Sequence, residues 1–221
     1  MAPDPLTQSQ QTQSDAGGPV RAGGWLFRHR TIIPVPLVLA ILIVPADAAP
    51  ASAALIAAGV VLVVLGEALR LWGVHHIGVI SRTRSDRLGP LIDTGPFGFV
   101  RNPLYIGNIA LWAGFAVCAQ LVWMAPIIAL LLLLEYHAIV RWEERLLAAR
   151  LGDAYREYRR RVPRWIPKVR LKAGTTYVPT ADSRSVRLQP DPGWGATFFS
   201  ERGTLIAIVA GFVLLWLKAR S

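Results

Sequence analysis

Apolar positions in this chain gather into long runs separated by short arginine-rich segments. Residues 1–24 are rich in Gln, Ser, Gly and Pro without periodicity and read as a disordered tail. Residues 31–49 follow Arg28, His29 and Arg30, carry no charge before Asp47, and predict a first membrane segment within 25–50. Pro34, Pro36 and Pro45 make that segment irregular or kinked. A cleaved signal peptide is the alternative there, because Ala46-Asp47-Ala48 looks like a small-residue cleavage site; the long tail before the basic cluster weighs against it. Residues 52–74 predict a clearer span, of the roughly 20 residues needed to cross the hydrocarbon. Near its end Glu67 and Arg70 lie three apart and share a helix face, where they either pair or snorkel to the interface.

Residues 104–140 hold 37 positions and a single charge, Glu135. As one helix they would measure about 55 Å, against a hydrocarbon core about 30 Å thick. The run therefore predicts a helical hairpin, with its turn at the polar interruption Ala119-Gln120. Residues 204–217 form a last apolar run, short for a span, with Phe198, Phe199 and Trp216 as interfacial anchors. The fold class that follows is all-α, a polytopic membrane bundle of about five transmembrane helices. Its organisation is a tail 1–24, a first segment 25–50, a core 51–167, a linker 168–202 and a C-terminal segment 203–221.

Composition sharpens this picture. The chain is 53% hydrophobic and 17% charged, with a net charge of +10 and one cysteine, Cys118. Disorder, an internal disulfide framework and a cysteine-based zinc site are thereby excluded. Four histidines leave little for a histidine-rich metal site. Three of the 24 basic residues are lysines, and the arginines lie beside apolar runs, which points to a membrane surface and not to nucleic acid. Arg82, Arg84, Arg87 and Arg101 lie between the second and third spans, and eleven Lys or Arg occupy 141–172. The turns at 46–51 and near Gln120 carry none. The positive-inside rule places both arginine-rich segments and the N-terminus in the cytoplasm, in an inner or plasma membrane.

Candidate chemistry concentrates in two places. One is the loop Arg87-Leu-Gly-Pro-Leu-Ile-Asp-Thr-Gly-Pro-Phe-Gly-Phe-Val-Arg-Asn-Pro-Leu-Tyr-Ile-Gly107, shaped by its glycines and prolines. Pro103 suits the first turn of a helix and Asn102 the N-cap, so free helix N–H groups suited to an anion come to the membrane surface. A capped helix entering the membrane would explain Asn-Pro alone, but accounts less well for Phe97 and Tyr105. The other place is Arg141-Trp-Glu-Glu-Arg145, two adjacent carboxylates at the end of an apolar span. They lie on neighbouring helix faces, so one of them points into any shared cavity while a solvated helix end is the bland alternative. Leu146, Leu147, Leu151, Tyr155, Tyr158 and Val162 then recur at helical spacing among arginines, an amphipathic helix suited to the membrane surface or to covering the bundle.

The ordered set Arg70-Leu-Trp72, Leu91-Ile-Asp-Thr-Gly-Pro-Phe97, Arg101-Asn-Pro-Leu-Tyr-Ile-Gly107, Glu143-Glu144, Leu151-Gly-Asp-Ala-Tyr155, Tyr158 and Val162-Pro-Arg-Trp-Ile-Pro167 resembles the integral-membrane methyltransferases of the isoprenylcysteine carboxyl methyltransferase and phospholipid N-methyltransferase group. The resemblance covers roughly 52–167. It implies a cytoplasmic pocket for S-adenosylmethionine and a lipophilic or lipidated substrate arriving from the membrane lipids. Carried over by position, it implies cofactor contacts from Gly89, Pro90, Leu91, Ile92, Phe97, Asn102, Pro103, Leu104, Tyr105 and Glu143. The last of these would meet the cofactor's ammonium. Glu144 and Arg141 are the catalytic candidates, Glu144 as base for an amine acceptor and Arg141 as holder of an anionic substrate group. Phe97, Tyr105 and Trp142 could face the sulfonium or serve as interfacial packing.

Isoprenylcysteine methyltransferases usually carry His where Asn102 stands, and Asn is more like the phospholipid branch; the extension 168–221 has no counterpart in the resemblance. Two other classes compete: a sterol-reductase-type membrane enzyme using NADPH, and a non-catalytic scaffold whose basic helix recruits anionic lipids.

Overall fold

The computed structural model describes residues 18–30, 32–46, 52–78, 91–167 and 193–220. Among these, six α-helices and one short 3-10 turn account for the regular structure, with no strand. In chain order they are α1 (Gly18–His29), α2 (Val35–Ile43), α3 (Ala53–Ile77), the 3-10 turn Gly95–Gly98, α4 (Pro103–Cys118), α5 (Met124–Arg161) and α6 (Gly193–Lys218). Helices α3, α5 and α6 are long and apolar enough to cross a membrane, whereas α4 is apolar but has 16 residues.

The first predicted segment is much shorter as a helix than its hydropathy suggested. Pro34 and Pro36 start α2, and Pro45 lies just past its end, leaving nine helical residues. Nine residues rise about 14 Å, under half the hydrocarbon thickness. The end of the predicted tail is ordered instead: α1 begins at Gly18 and docks on α5. Gly23 and Gly24 allow this, since a Cβ on Gly23 would collide with the Ala138 carbonyl and one on Gly24 would lie 3.0 Å from the Trp142 indole nitrogen.

The predicted hairpin is present. α4 stops at Cys118, α5 starts at Met124, and Gln120 takes a left-handed φ of 62° between them. Its side-chain oxygen accepts the Ser52 N–H at 3.0 Å, while Ser52 caps α3 through its hydroxyl. The hairpin turn and the start of α3 are thus tied together. α5 carries the apolar run into the amphipathic stretch and is kinked at Gly152, whose φ of 53° is non-helical.

The closest packing is between α3 and α4. Gly59, Gly66 and Gly73 repeat every seven residues on α3, and Gly107 and Gly114 do so on α4. A Cβ on Gly66 would lie 2.7 Å from the Gly107 carbonyl oxygen, and one on Gly107 would lie 2.6 Å from that of Gly66. Small residues at such a seam let helix backbones touch in an apolar medium, where packing and polar contacts replace the hydrophobic drive.

The last helix reaches back ten residues before the predicted segment, to Gly193, and takes Trp194, Phe198 and Phe199 into its first turns. Phe212 packs on Phe115 with ring centroids 5.2 Å apart. At its far end Lys218 donates to the Ile41 and Val44 carbonyls, each at 2.6 Å, satisfying the otherwise open end of α2.

The seam predicts that Gly66→Val destabilises the protein by about 1–3 kcal/mol, because the added atoms meet backbone that cannot swing aside. Gly195→Val, at a position where a Cβ meets nothing, should leave the denaturation midpoint in detergent within error of the unaltered chain.

Candidate functional site

The site is assembled where the loop before α4, the middle of α5 and the segment after α5 converge. The 3-10 turn buries Pro96 and Phe97. The Phe97 carbonyl accepts the Tyr158 hydroxyl at 2.9 Å, and Leu91 packs with Tyr155, Tyr158 and Val162. The amphipathic part of α5 therefore turns its aromatic face onto this loop and leaves Arg156, Arg159 and Arg160 exposed.

Glu144 fastens the three pieces. It is 6% exposed and receives Arg164 in a two-pronged contact, Nε to Oε1 at 3.0 Å and Nη2 to Oε2 at 2.7 Å. Arg101 forms an ion pair with the same carboxylate at 2.7 Å. Backbone bonds run alongside: the Arg101 N–H donates to the Pro163 carbonyl at 2.9 Å, and the Asn102 carboxamide donates to the Arg164 carbonyl at 3.1 Å. Arg164 is held above its ordinary pKa by its hydrogen bonds to Glu144. A planar guanidinium clamped by a carboxylate in this way fixes orientation as well as charge.

Asn102 stands at the N-cap position, yet its side chain does not cap α4. Its carboxamide is committed to Arg164, while its own carbonyl accepts the Ile106 N–H at 3.3 Å. The expected side-chain cap is thus replaced by a brace, and the first N–H groups of α4 have no side-chain acceptor from Asn102.

Glu143 faces another way. Successive residues on a helix are turned by about 100°, so the two acids cannot share a partner set. Glu143 Oε1 accepts the Tyr105 hydroxyl at 3.1 Å, and the Tyr105 ring stacks on Tyr136 with centroids 4.7 Å apart. Beneath this pair lies a polar string. Asn108 is hydrogen-bonded to Tyr136 and accepts from Arg70. Arg70 also contacts Glu67 at 3.1 Å, Glu201 at 2.6 Å and the Thr204 hydroxyl at 3.1 Å. Glu67 and Arg70 do pair, but at 6% and 7% exposure they are buried and do not snorkel. α6 closes over them and brings Glu201, which is fully buried.

Of the candidates named from the sequence, Tyr105 and Glu143 meet directly, while Phe97, Asn102 and Glu144 belong to the neighbouring clamp with Tyr158, Arg164 and Arg101. Leu91 and Ile92 are half-buried in the adjoining loop. Pro103 and Leu104 turn toward α3, where Leu104 lies against Gly73. Arg141 is exposed and, two residues before Glu143, projects from nearly the opposite side of α5. Gly89 and Pro90 lie outside the described residues. Sequence reasoning missed the partners Arg101, Arg164, Tyr136, Asn108 and Glu201. The seven-residue glycine repeat was the one signal that would have placed Asn108 opposite Arg70.

The sequence model of the phospholipid methyltransferase family matches residues 54–154. The chain belongs to that family of integral-membrane methyltransferases. It is 31% identical over 128 residues to the nickel-cobalt-cadmium resistance protein NccN of Alcaligenes xylosoxydans xylosoxydans, a match covering 58% of this chain and 57% of that protein. It is 30% identical over 176 residues to the cobalt-zinc-cadmium resistance protein CzcN of Cupriavidus metallidurans, covering 76% of this chain and 78% of that one. No solved structure matches the chain. The stretch matched by the phospholipid methyltransferase family contains Tyr105, Asn108, Tyr136, Glu143 and Glu144, whereas Arg30, Arg164 and Glu201 lie outside it.

The different duties of the two acids are separable. Glu144→Ala should release the segment after α5 and speed tryptic cleavage at Arg164 by about tenfold, in line with the loss of a largely buried ion pair worth about 1.4 kcal/mol or more. Glu143→Ala should leave that cleavage rate unchanged.

Proposed function

We propose that the protein is an S-adenosylmethionine-dependent methyltransferase acting on a lipophilic substrate at the cytoplasmic face of a membrane, with residues 51–167 as its catalytic core. The observation that carries this reading is the Tyr105–Glu143 contact beside a braced loop. Glu143 accepts the Tyr105 hydroxyl on one oxygen and, unlike Glu144, is in no ion pair among the described residues. A half-buried carboxylate outside any ion pair suits an ammonium group, and the half-buried Tyr105 ring, backed by Tyr136, suits a neighbouring cation. The residues present therefore fit the amino-acid end of the methyl donor.

S-adenosylmethionine, when bound, supplies a methyl group on a positively charged sulfonium. This chain's residues hold and orient. Tyr105 fixes the Glu143 carboxylate, Tyr136 fixes the Tyr105 ring, and the Arg101–Glu144–Arg164 clamp keeps the loop over them. Glu144, doubly paired with arginines, is suited to positioning. An acceptor that reacts as a carboxylate needs no base there, whereas an amine must lose its proton elsewhere or to water. The apolar surfaces of α3, α5 and α6 favour an acceptor that reaches the site from the bilayer, and the arginines of 141–172 favour a cytoplasmic site.

The names of the two relatives concern resistance to metals. Carried to this chain, such a role would be served by altered membrane lipids, the product of methyl transfer to a lipophilic acceptor.

Calorimetric titration of the purified protein in detergent with S-adenosylhomocysteine and with NADPH tests the reading. Binding of the first alone is expected; binding of NADPH alone would replace it with the reductase. Glu143→Gln should weaken S-adenosylhomocysteine binding about 10- to 100-fold, the worth of one charged hydrogen bond. Labelled methyl donor incubated with a total lipid extract should yield a labelled lipid, which the same variant largely abolishes.

A further inference from the structure

The cluster Arg28-His29-Arg30 is used by neither the family resemblance nor the clamp. Its three members have different surroundings. Arg28 is exposed, and the His29 ring is bonded to the Trp25 carbonyl at 2.9 Å. Arg30, just past the end of α1, is half-buried, and its guanidinium carbon lies 4.2 Å from the centre of the Phe27 ring. Phe27 in turn packs against Trp142, with ring centroids 5.0 Å apart, and Trp142 is the neighbour of Glu143. The docking of Gly23 and Gly24 on Ala138 and Trp142 fixes α1, and with it Arg30, relative to α5.

Arg30 makes no ion pair with any described residue. It is nonetheless near enough to act electrostatically on Tyr105, Tyr136 and Glu143. An arginine held over an aromatic ring by a cation–π contact still has N–H groups to offer a planar anion. A guanidinium and a carboxylate that lie close without pairing present opposite charges to a ligand that carries both. The α-amino acid end of the methyl donor is such a ligand, its ammonium and carboxylate borne on one carbon.

Resting on the reading above, we propose that Arg30 holds the carboxylate of the methyl donor while Glu143 holds its ammonium. The N-terminal helix, which precedes the stretch matched by the family, then completes the cofactor site.

The test is a pair of titrations on the full-length protein in detergent, with S-adenosylhomocysteine and with its decarboxylated analogue, 5′-deoxy-5′-(3-aminopropylthio)adenosine. Arg30→Gln should weaken S-adenosylhomocysteine about 10- to 100-fold and leave the analogue unchanged, because the analogue has no carboxylate to lose. Arg30→Lys, which keeps the charge, should recover part of the loss. Unchanged affinity for S-adenosylhomocysteine in Arg30→Gln would overturn the assignment and direct this arginine to the anionic group of the acceptor. An equal loss for both ligands would also overturn it, as a purely structural effect. Failure of the unaltered protein to bind either ligand would remove the methyl-donor reading itself, a result distinct from both.

Discussion

At the seam between α3 and α4 the carbonyl oxygens of Gly66 and Gly107 occupy the space that the facing residue's Cβ would need. Because the two backbones touch there, the Arg70 side chain runs directly over Gly107 and reaches Asn108 on the neighbouring helix. From Asn108 the contacts pass to Tyr136, to the stacked Tyr105 ring and to Glu143. Any larger side chain at Gly66 or Gly107 would lengthen the first step. The spacing of two helices thus sets the position of a carboxylate on a third.

Adjacent acids with unlike surroundings illustrate how a helix divides labour. Glu144 looks toward the loop and the return segment, where two arginines take its charge. Glu143 looks toward α4, where a single hydroxyl leaves it open on one side. The first arrangement favours rigidity and the second favours a visitor. Burying the first pairing costs desolvation, which the two-pronged geometry and the flanking backbone bonds offset.

The long helices, the hairpin and its turn at Gln120 were legible because hydropathy and length are nearly sufficient in a chain that must satisfy its backbone within an apolar medium. The meeting of Tyr105 with Glu143 was legible only through the resemblance, since 38 residues separate them and no spacing rule spans that distance. Three things were hidden. Helix α1 was lost because its docking rests on two glycines, which composition reads as disorder. The side-chain role of Asn102 was misread because capping is a local rule and Arg164 lies 62 residues away. The partnership of Arg70 with Glu201, 131 residues apart, had no local signature at all.

Glu201 gives the chain a built-in sequence of assembly. A helix carrying a buried carboxylate resists entry into hydrocarbon, and α6 follows α3 in the chain. Arg70 on the earlier α3 donates to that carboxylate at 2.6 Å. α6 accordingly enters against a prepared counter-charge and not against bare lipid, with the earlier helices of the bundle as its guide.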